Sequence, residues 1–430
     1  MLPLSKLKPT MNRPISTKIF AGLLILLPNI IKAQNNSSPY SVLGIGDIEN
    51  SSFNRYTGMA NAGIALTDTR HINNSNAASL TGLNEHFYSF EISMRYKQSI
   101  YTGGNVDASY NKSADFAIRR INLAMKVSKK WGSSVGLQPF STAAYSYNAL
   151  KNIQGTLTNV AASYEGEGGV NQFYWANGVK LTKNTSIGLT SSFLFGSLRQ
   201  TENLLGSDNV TPELTTVQNT YLRNYYFNIG LQTSLQLNKT WDTRYGITFS
   251  PKTDLFAEYT TDVTSSDGVS LKNDVTKNDY FTLPAIVNAG IAFIKDAKYT
   301  FTINGQYQNW SSLKYQGNNY QLVNSNKLSL GYQNSFKAKN YYNREYEKGF
   351  FQLGLYAGQS YLKVKNVPIT DIGASIGYGM ISKRSPISLL IALEAGKRGT
   401  TNKNILSDNY FNLNFTFSYV DFLSNGKRYY

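Results

Sequence analysis

The sequence predicts an all-β protein: a 14-stranded antiparallel transmembrane β-barrel with an N-terminal plug, or hatch, in its lumen. Three observations carry this. Apolar and polar residues alternate in stretches from about residue 86 to the C-terminus. The gaps between the stretches are by turns short and long. A basic, then apolar leader stands at the N-terminus. In the last stretch Phe411, Leu413, Phe415, Phe417 and Tyr419 share one face, and Asn412, Asn414, Thr416 and Ser418 the other. Likewise Tyr299, Phe301, Ile303 and Tyr307 stand against Thr300, Thr302, Asn304, Gln306 and Gln308. Period-two alternation gives strands with one oily and one wet face. Repeated behind an export signal, it reads as a barrel with lipid outside and polar packing inside.

Residues 1–33 read as a cleaved signal peptide. Lys6, Lys8, Arg13 and Lys18 make a basic region, and Ile19 to Ile31 a short apolar one interrupted by Pro28. Ile31-Lys32-Ala33 offers a cleavage site before Gln34, and the start is either Met1 or Met11. The apolar run is too short to span a bilayer, and no other segment approaches the roughly 18 apolar residues a spanning helix needs. An export signal with barrel strands places the chain as an integral protein of a bacterial outer membrane.

Composition narrows the chemistry. There is no cysteine, which excludes disulfides, a lipid-anchored cysteine and thiolate chemistry. His71 and His86 are the only histidines, so no enzyme activity, metal or cofactor is expected. Tyr, Phe, Asn, Ser, Thr and Gly dominate and mean hydropathy is below zero, which suits aromatic girdles around a polar lumen. The charge is +16, and near +11 once the five basic residues of the leader are removed. These charges are dispersed rather than gathered in a stripe, so the expected partner is anionic outer-membrane lipid and not nucleic acid.

Residues 34–85 are not barrel-like. Ser37-Ser38-Pro39-Tyr40-Ser41 leads into Gly44-Ile45-Gly46-Asp47, then Tyr56-Thr57-Gly58-Met59-Ala60-Asn61-Ala62-Gly63 and Asn73-Asn74-Ser75-Asn76-Ala77-Ala78-Ser79-Leu80. The segment is too poor in apolar residues for its own core, so it is expected inside the barrel as a plug rather than as a periplasmic extension. Residues 86–430 form the barrel. The expected strands are 86–97, 116–128, 132–147, 170–181, 185–201, 220–236, 241–260, 280–295, 298–311, 320–335, 348–362, 369–382, 386–396 and 409–421. Gaps after strands 2, 4, 6, 8 and 12 are tight, and those after 1, 3, 5, 7 and 13 are long, as for short periplasmic turns and long outer loops. A long turn near 336–347 and a short loop near 363–368 fit this rhythm less well.

The third strand reads Val135-Gly136-Leu137-Gln138-Pro139-Phe140. Proline lacks the ladder N–H and is tolerated in sheets at edges and bulges. Every strand of a closed barrel is internal, so Pro139 disrupts pairing locally and Gly136 weakens the strand further. A simple bulge and a lateral opening both satisfy this. Alternation also turns Glu91, Arg95 and Lys97 inward, with Arg120, Lys126, Arg244 and Glu394 expected to join them and Asp47 of the plug. That set reads as an ion-pair network between wall and plug, or as a cationic anchor for a ligand carboxylate. Asn224, Asn228, Gln232, Ser234 and Gln236 make the wall of strand 6 more polar than a fatty conduit requires. Gly373-Ala374-Ser375-Ile376-Gly377 matches the G-x-S-x-G nucleophile pattern, but that motif needs a strand–turn–helix context, and here it lies in an alternating strand.

Asn76-Ala77-Ala78 in a glycine-rich plug, followed by fourteen strands, resembles the FadL-type outer-membrane transporters, whose plug carries Asn-Pro-Ala. Leu283-Pro284 and Asn309-Trp310-Ser311 match the family, and Gly396-Lys397-Arg398-Gly399-Thr400-Thr401 is similar to its branch in Bacteroidota. The resemblance implies a porin-like channel for small hydrophobic or amphipathic, fatty-acid-like molecules. It also implies a plug closing the periplasmic side and a lateral exit at the third strand. The alternative it implies is a non-transporting subunit or shuttle of an outer-membrane secretion or barrel-assembly complex, with protein partners.

Overall fold

The computed structural model describes residues 38–42, 44–103, 111–152, 159–205, 213–313, 316–317, 320–339, 343, 345–382 and 386–422. The signal peptide lies outside the described residues. Fourteen antiparallel strands close on themselves. They are β1 (Phe87–Thr102), β2 (Lys112–Ser128), β3 (Trp131–Thr142, continued by Tyr145–Asn152), β4 (Asn159–Lys180), β5 (Thr185–Leu205) and β6 (Leu214–Gln236). Then follow β7 (Trp241–Ser250 and Thr253–Ser265), β8 (Ser270–Leu283 and Ile286–Lys295), β9 (Tyr299–Gln308) and β10 (Ser325–Lys339). The last four are β11 (Glu345–Val364), β12 (Val367–Ile381), β13 (Ile387–Gly399) and β14 (Ser407–Phe422). The seam is β14 against β1, from Phe87↔Phe422 to Thr102↔Ser407. This seam joins the last strand to the first, as crossing hydrocarbon with strands requires.

The expected alternation decides which face is which. On β9, Thr302 is 2 % exposed and Ile303 44 %. On β14, Asn412, Asn414, Thr416 and Ser418 are buried inside while Phe411 and its odd-numbered neighbours face out. Outward aromatics gather in pairs, such as Phe193–Tyr225 and Phe256–Tyr280 part-way up the long strands and Phe87–Phe422 at the tight-turn end. An apolar outer belt with aromatics at both margins is the surface of a membrane-spanning barrel.

The two misfit connections have local causes. Lys365-Asn366 joins β11 to β12 with both residues at positive φ (46° and 64°), the mirror-image turn that suits strand twist. β10 and β11 extend further than expected, leaving only residues 340–344 between them. Strands 7 and 8 each divide at a proline, Pro251 and Pro284, because proline cannot donate to the ladder. The expected spans also fell short at the outer end: β4 begins at Asn159 rather than 170, β6 at Leu214 rather than 220, and β8 at Ser270 rather than 280. The outer arms of β3 to β8 pair in succession as one sheet standing above the aromatic margin.

Candidate functional site

The lower lumen, toward the tight turns, is filled by residues 53–83. Their backbone approaches the wall where the wall has glycine. A Cβ on Gly188 of β5 would sit 2.2 Å from the Ala78 nitrogen, and one on Gly178 of β4 2.4 Å from the Ala77 oxygen. Gly132, Gly246 and Gly354 meet Leu80, Ile64 and Ala60 in the same way. Asn76 is fully buried and organises the contact. Its Oδ1 accepts from the Ala78 N–H at 3.1 Å, capping the helical turn Ala77–Gly82. Its Nδ2 donates to the Ile64 carbonyl at 3.2 Å and to the Leu231 carbonyl of β6 at 3.1 Å. The Asn76-Ala77-Ala78 motif thus ties two loops of the segment to the wall.

The inward charges expected on β1, β2, β7 and β13 all lie in the lumen. Glu91 and Arg120 pair with neither side chain exposed. Together they hold both backbone polar groups of one residue: the Ile72 N–H donates to Glu91 at 3.1 Å, and Arg120 donates to the Ile72 carbonyl at 3.3 Å. Lys126 donates to the Thr81 carbonyl and Arg244 to the Thr67 hydroxyl. A second anchor was not foreseen. Arg55 bridges Asp68 of its own segment and Glu347 of β11, the latter with two bonds of 2.6 and 2.7 Å. Burial works against the charge of Asp68, but Arg55 and the N–H groups of Arg70 and His71 outweigh it and hold the carboxyl well below its ordinary range.

The upper lumen is different. Asp47–Ile48 pairs as a short strand with Ser141–Thr142 of β3, and the Glu49 N–H donates to the Phe140 carbonyl at 2.9 Å. Asp47 pairs with Arg398 at 2.6 Å and Glu49 with Arg95 at 3.0 Å. Above them Tyr40, Ile45 and Ile48 enter an apolar cluster with Trp310, Tyr361, Leu362 and Ile369. Burial pushes the Tyr40 hydroxyl up to about 12, with Arg398 opposing; it stays neutral and donates to the Leu406 carbonyl.

The segment replaces a wall contact. The β2–β3 ladder runs from Ser128↔Trp131 only to Ile121↔Leu137. Beyond it, among the described residues, Lys112–Arg120 has no ladder partner on the β3 side, and β3 takes Asp47–Ile48 instead. Pro139 sits at this break, where β3 also shifts register against β4 between Pro139 and Ser141. Gly136 lies just inside it, in the last pair but one of the ladder. Gly136 keeps both neighbours, Asn122 and Tyr174, and a Cβ there would strike the Tyr174 hydroxyl at 2.5 Å; its role is to seat that ring. Across the break the Arg119 guanidinium donates to the Thr142 hydroxyl at 3.4 Å.

Behind the break is a cavity, open to solvent, with a polar lining that includes Lys97, Asp115, Arg119, Glu394, Asp408 and Asn412. Lys97 lies over the Tyr410 ring, and Glu394 accepts from Tyr356 at 2.8 Å and Asn412 at 3.0 Å. Ser375 of the G-x-S-x-G stretch lies within β12, donating to the Gly58 carbonyl at 3.0 Å and accepting from the Ala60 N–H at 2.9 Å. Its hydroxyl is used to seat the segment. His86 is exposed in the turn before β1.

Solved structures with this architecture include a Pseudomonas aeruginosa FadL homologue (12 % identity, TM-score 0.60, 88 % of this chain and 100 % of that one). The CymD monoaromatic hydrocarbon channel (14 %, 0.55, 86 % and 97 %) and the Ralstonia pickettii toluene transporter TbuX (13 %, 0.55, 85 % and 97 %) are similar to the same extent. At these identities the likeness concerns the fold, which is that of the FadL-type barrels. No curated protein sequence matches the chain. The BamG family model matches residues 15–428. The chain belongs to the BamG family.

Proposed function

We propose that this is an outer-membrane barrel that admits the polar end of an amphipathic molecule sideways from the bilayer, through the interrupted ladder between β2 and β3. The observation that carries the reading is the break itself. A sheet edge at bilayer depth is tolerated only where protein or water covers it, and here a polar cavity stands directly behind it. The structural neighbours named for hydrocarbon transport support passage of small molecules. The charged lining favours amphipathic passengers over pure hydrocarbon, since burying unpaired charge against hydrocarbon is costly. Residues 34–85 act as the plug, and the leader before Gln34 exports the chain.

A second reading has its own support. The lower lumen is packed tightly enough that wall glycines are needed to receive the segment, which suits a closed barrel serving as a subunit of an outer-membrane secretion or barrel-assembly complex. Uptake of a fluorescent fatty-acid-like probe into proteoliposomes tests the first reading. Pro139→Val supplies a ladder donor worth about 0.5–1.5 kcal/mol net and should lower uptake while insertion stays normal. Uptake by the parent no faster than by empty liposomes, with stable co-purification in a large complex under mild detergent, would replace the first reading by the second.

A further inference from the structure

The cavity behind the break holds more hydrogen-bonding capacity than the protein itself uses. Two of its carboxylates, Asp47 and Glu49, are committed to Arg398 and Arg95. Three other lining residues are nearly inaccessible: Asp408 is 1 % exposed, Asp115 4 % and Asn412 5 %. Each keeps one side-chain oxygen with no donor: Asp408 Oδ1, Asp115 Oδ1 and Asn412 Oδ1. Buried polar atoms are normally satisfied, and a group of exceptions lining one cavity calls for an occupant. Two cations also line the cavity, each in the field of a carboxylate, Lys97 of Asp47 and Lys327 of Asp371. Lys97 and Lys327 lie over the rings of Tyr410 and Tyr356, at 5.7 and 4.2 Å, and neither makes an ion pair among the described residues.

We propose that this cavity binds the hydroxyl-rich head of a glycolipid, with the lipid tail left in the bilayer outside the break. The leftover oxygens are acceptors on two different strands, β2 and β14, so they call for several O–H donors spread over a broad head. The lysines complement ring, hydroxyl or anionic oxygens on the same head. A hydrocarbon tail would leave the oxygens unpaired. The route is set by the lining: Asp115, Arg119 and Thr142 border both the cavity and the break, while the apolar cluster around Trp310 and Tyr361 stands toward the long loops. A molecule whose head enters sideways while its tail stays in lipid fits this arrangement. The inference rests on the reading of the break as a lateral entrance.

The full chain, purified in an amine-oxide detergent, is exchanged into dodecyl maltoside or into a polyoxyethylene detergent with the same dodecyl tail. Native mass spectrometry then counts retained detergent. The expected result is one retained dodecyl maltoside, at least 10-fold above the polyoxyethylene adduct. Asp408→Leu and Lys97→Met should each lower that adduct at least 5-fold, with folding checked by heat-modifiable gel mobility. Equal retention of the two detergents, or an adduct unchanged in a folded variant, overturns the proposal and leaves the cavity to water. Maltoside retention without uptake of an amphipathic probe would retain the head site and remove the transport reading. Uptake without the adduct would do the reverse.

Discussion

Arg120 of β2 and Glu91 of β1 form an ion pair with no exposed surface, and between them they hold both backbone polar groups of Ile72. The pair is therefore a clamp on the N-terminal segment as well as a wall contact. Removing one partner of a buried pair strands the other charge, which typically costs about 3–5 kcal/mol. Arg120→Met should lower stability by about that amount, seen as a lower urea midpoint in micelles. Glu91→Leu combined with Arg120→Met should recover part of the loss, because no buried charge is then unpaired.

Gly188 tests whether the segment is seated or loose. A valine there would collide with the Ala77–Ala78 backbone rather than with a movable side-chain tip. Overpacking of this kind costs about 1–3 kcal/mol. We expect Gly188→Val to insert and close as a barrel but to release residues 34–85 to periplasmic-side protease at least 10-fold faster than the parent. Rapid digestion of the segment in the parent would show it to be a tail and not a plug.

Acid should loosen the same segment. Asp68 is depressed in the folded state, and an unfolded aspartate titrates near 3.9. Its stabilisation is thus fully present at neutral pH and is lost as pH falls below about 4 through the folded value. Amide exchange of residues 55–72 should accelerate between pH 5 and 3 by roughly 10-fold beyond the intrinsic pH effect, taking about 1.4 kcal/mol per decade. Asp68→Asn should remove the acid-dependent part and exchange faster at pH 7.

The face assignment is open to direct labelling. Phe415 points to lipid and Asn414 to the lumen. Cysteines placed at these positions should differ in reaction with a membrane-impermeant thiol reagent. Equal labelling at both would contradict the strand register of β14.

Much of this was legible because a single period governs both faces of a strand. The parity that puts Phe411 and Phe415 outside also puts Glu91, Arg95 and Lys97 inside, without knowledge of any contact. The anchors joining distant segments were not legible. Arg55 and Glu347 are 292 residues apart and Asp47 and Arg398 are 351 apart, and neither pair has a local pattern. The outer arms were missed for another reason. Residues such as Thr215, Thr216 and Thr220 on β6 and Thr260, Thr261 and Thr264 on β7 lie above the apolar belt, where both faces meet water and alternation disappears. The seating of Tyr174 against Gly136 was not legible either, because a missing Cβ carries no sign of which ring from a neighbouring strand fills its place.

The tall sheet made by the outer arms of β3 to β8 gives the molecule a front and a back. Its first member is the continuation of β3, the strand that borders the break, whereas β11 and β12 end in a two-residue turn on the far side. Anything moving in the outer leaflet toward the break therefore arrives at the foot of a cliff. A neighbour resting against that cliff would stand over the interrupted ladder between β2 and β3, so the barrel's tallest wall and its one unpaired stretch among the described residues share a compass bearing.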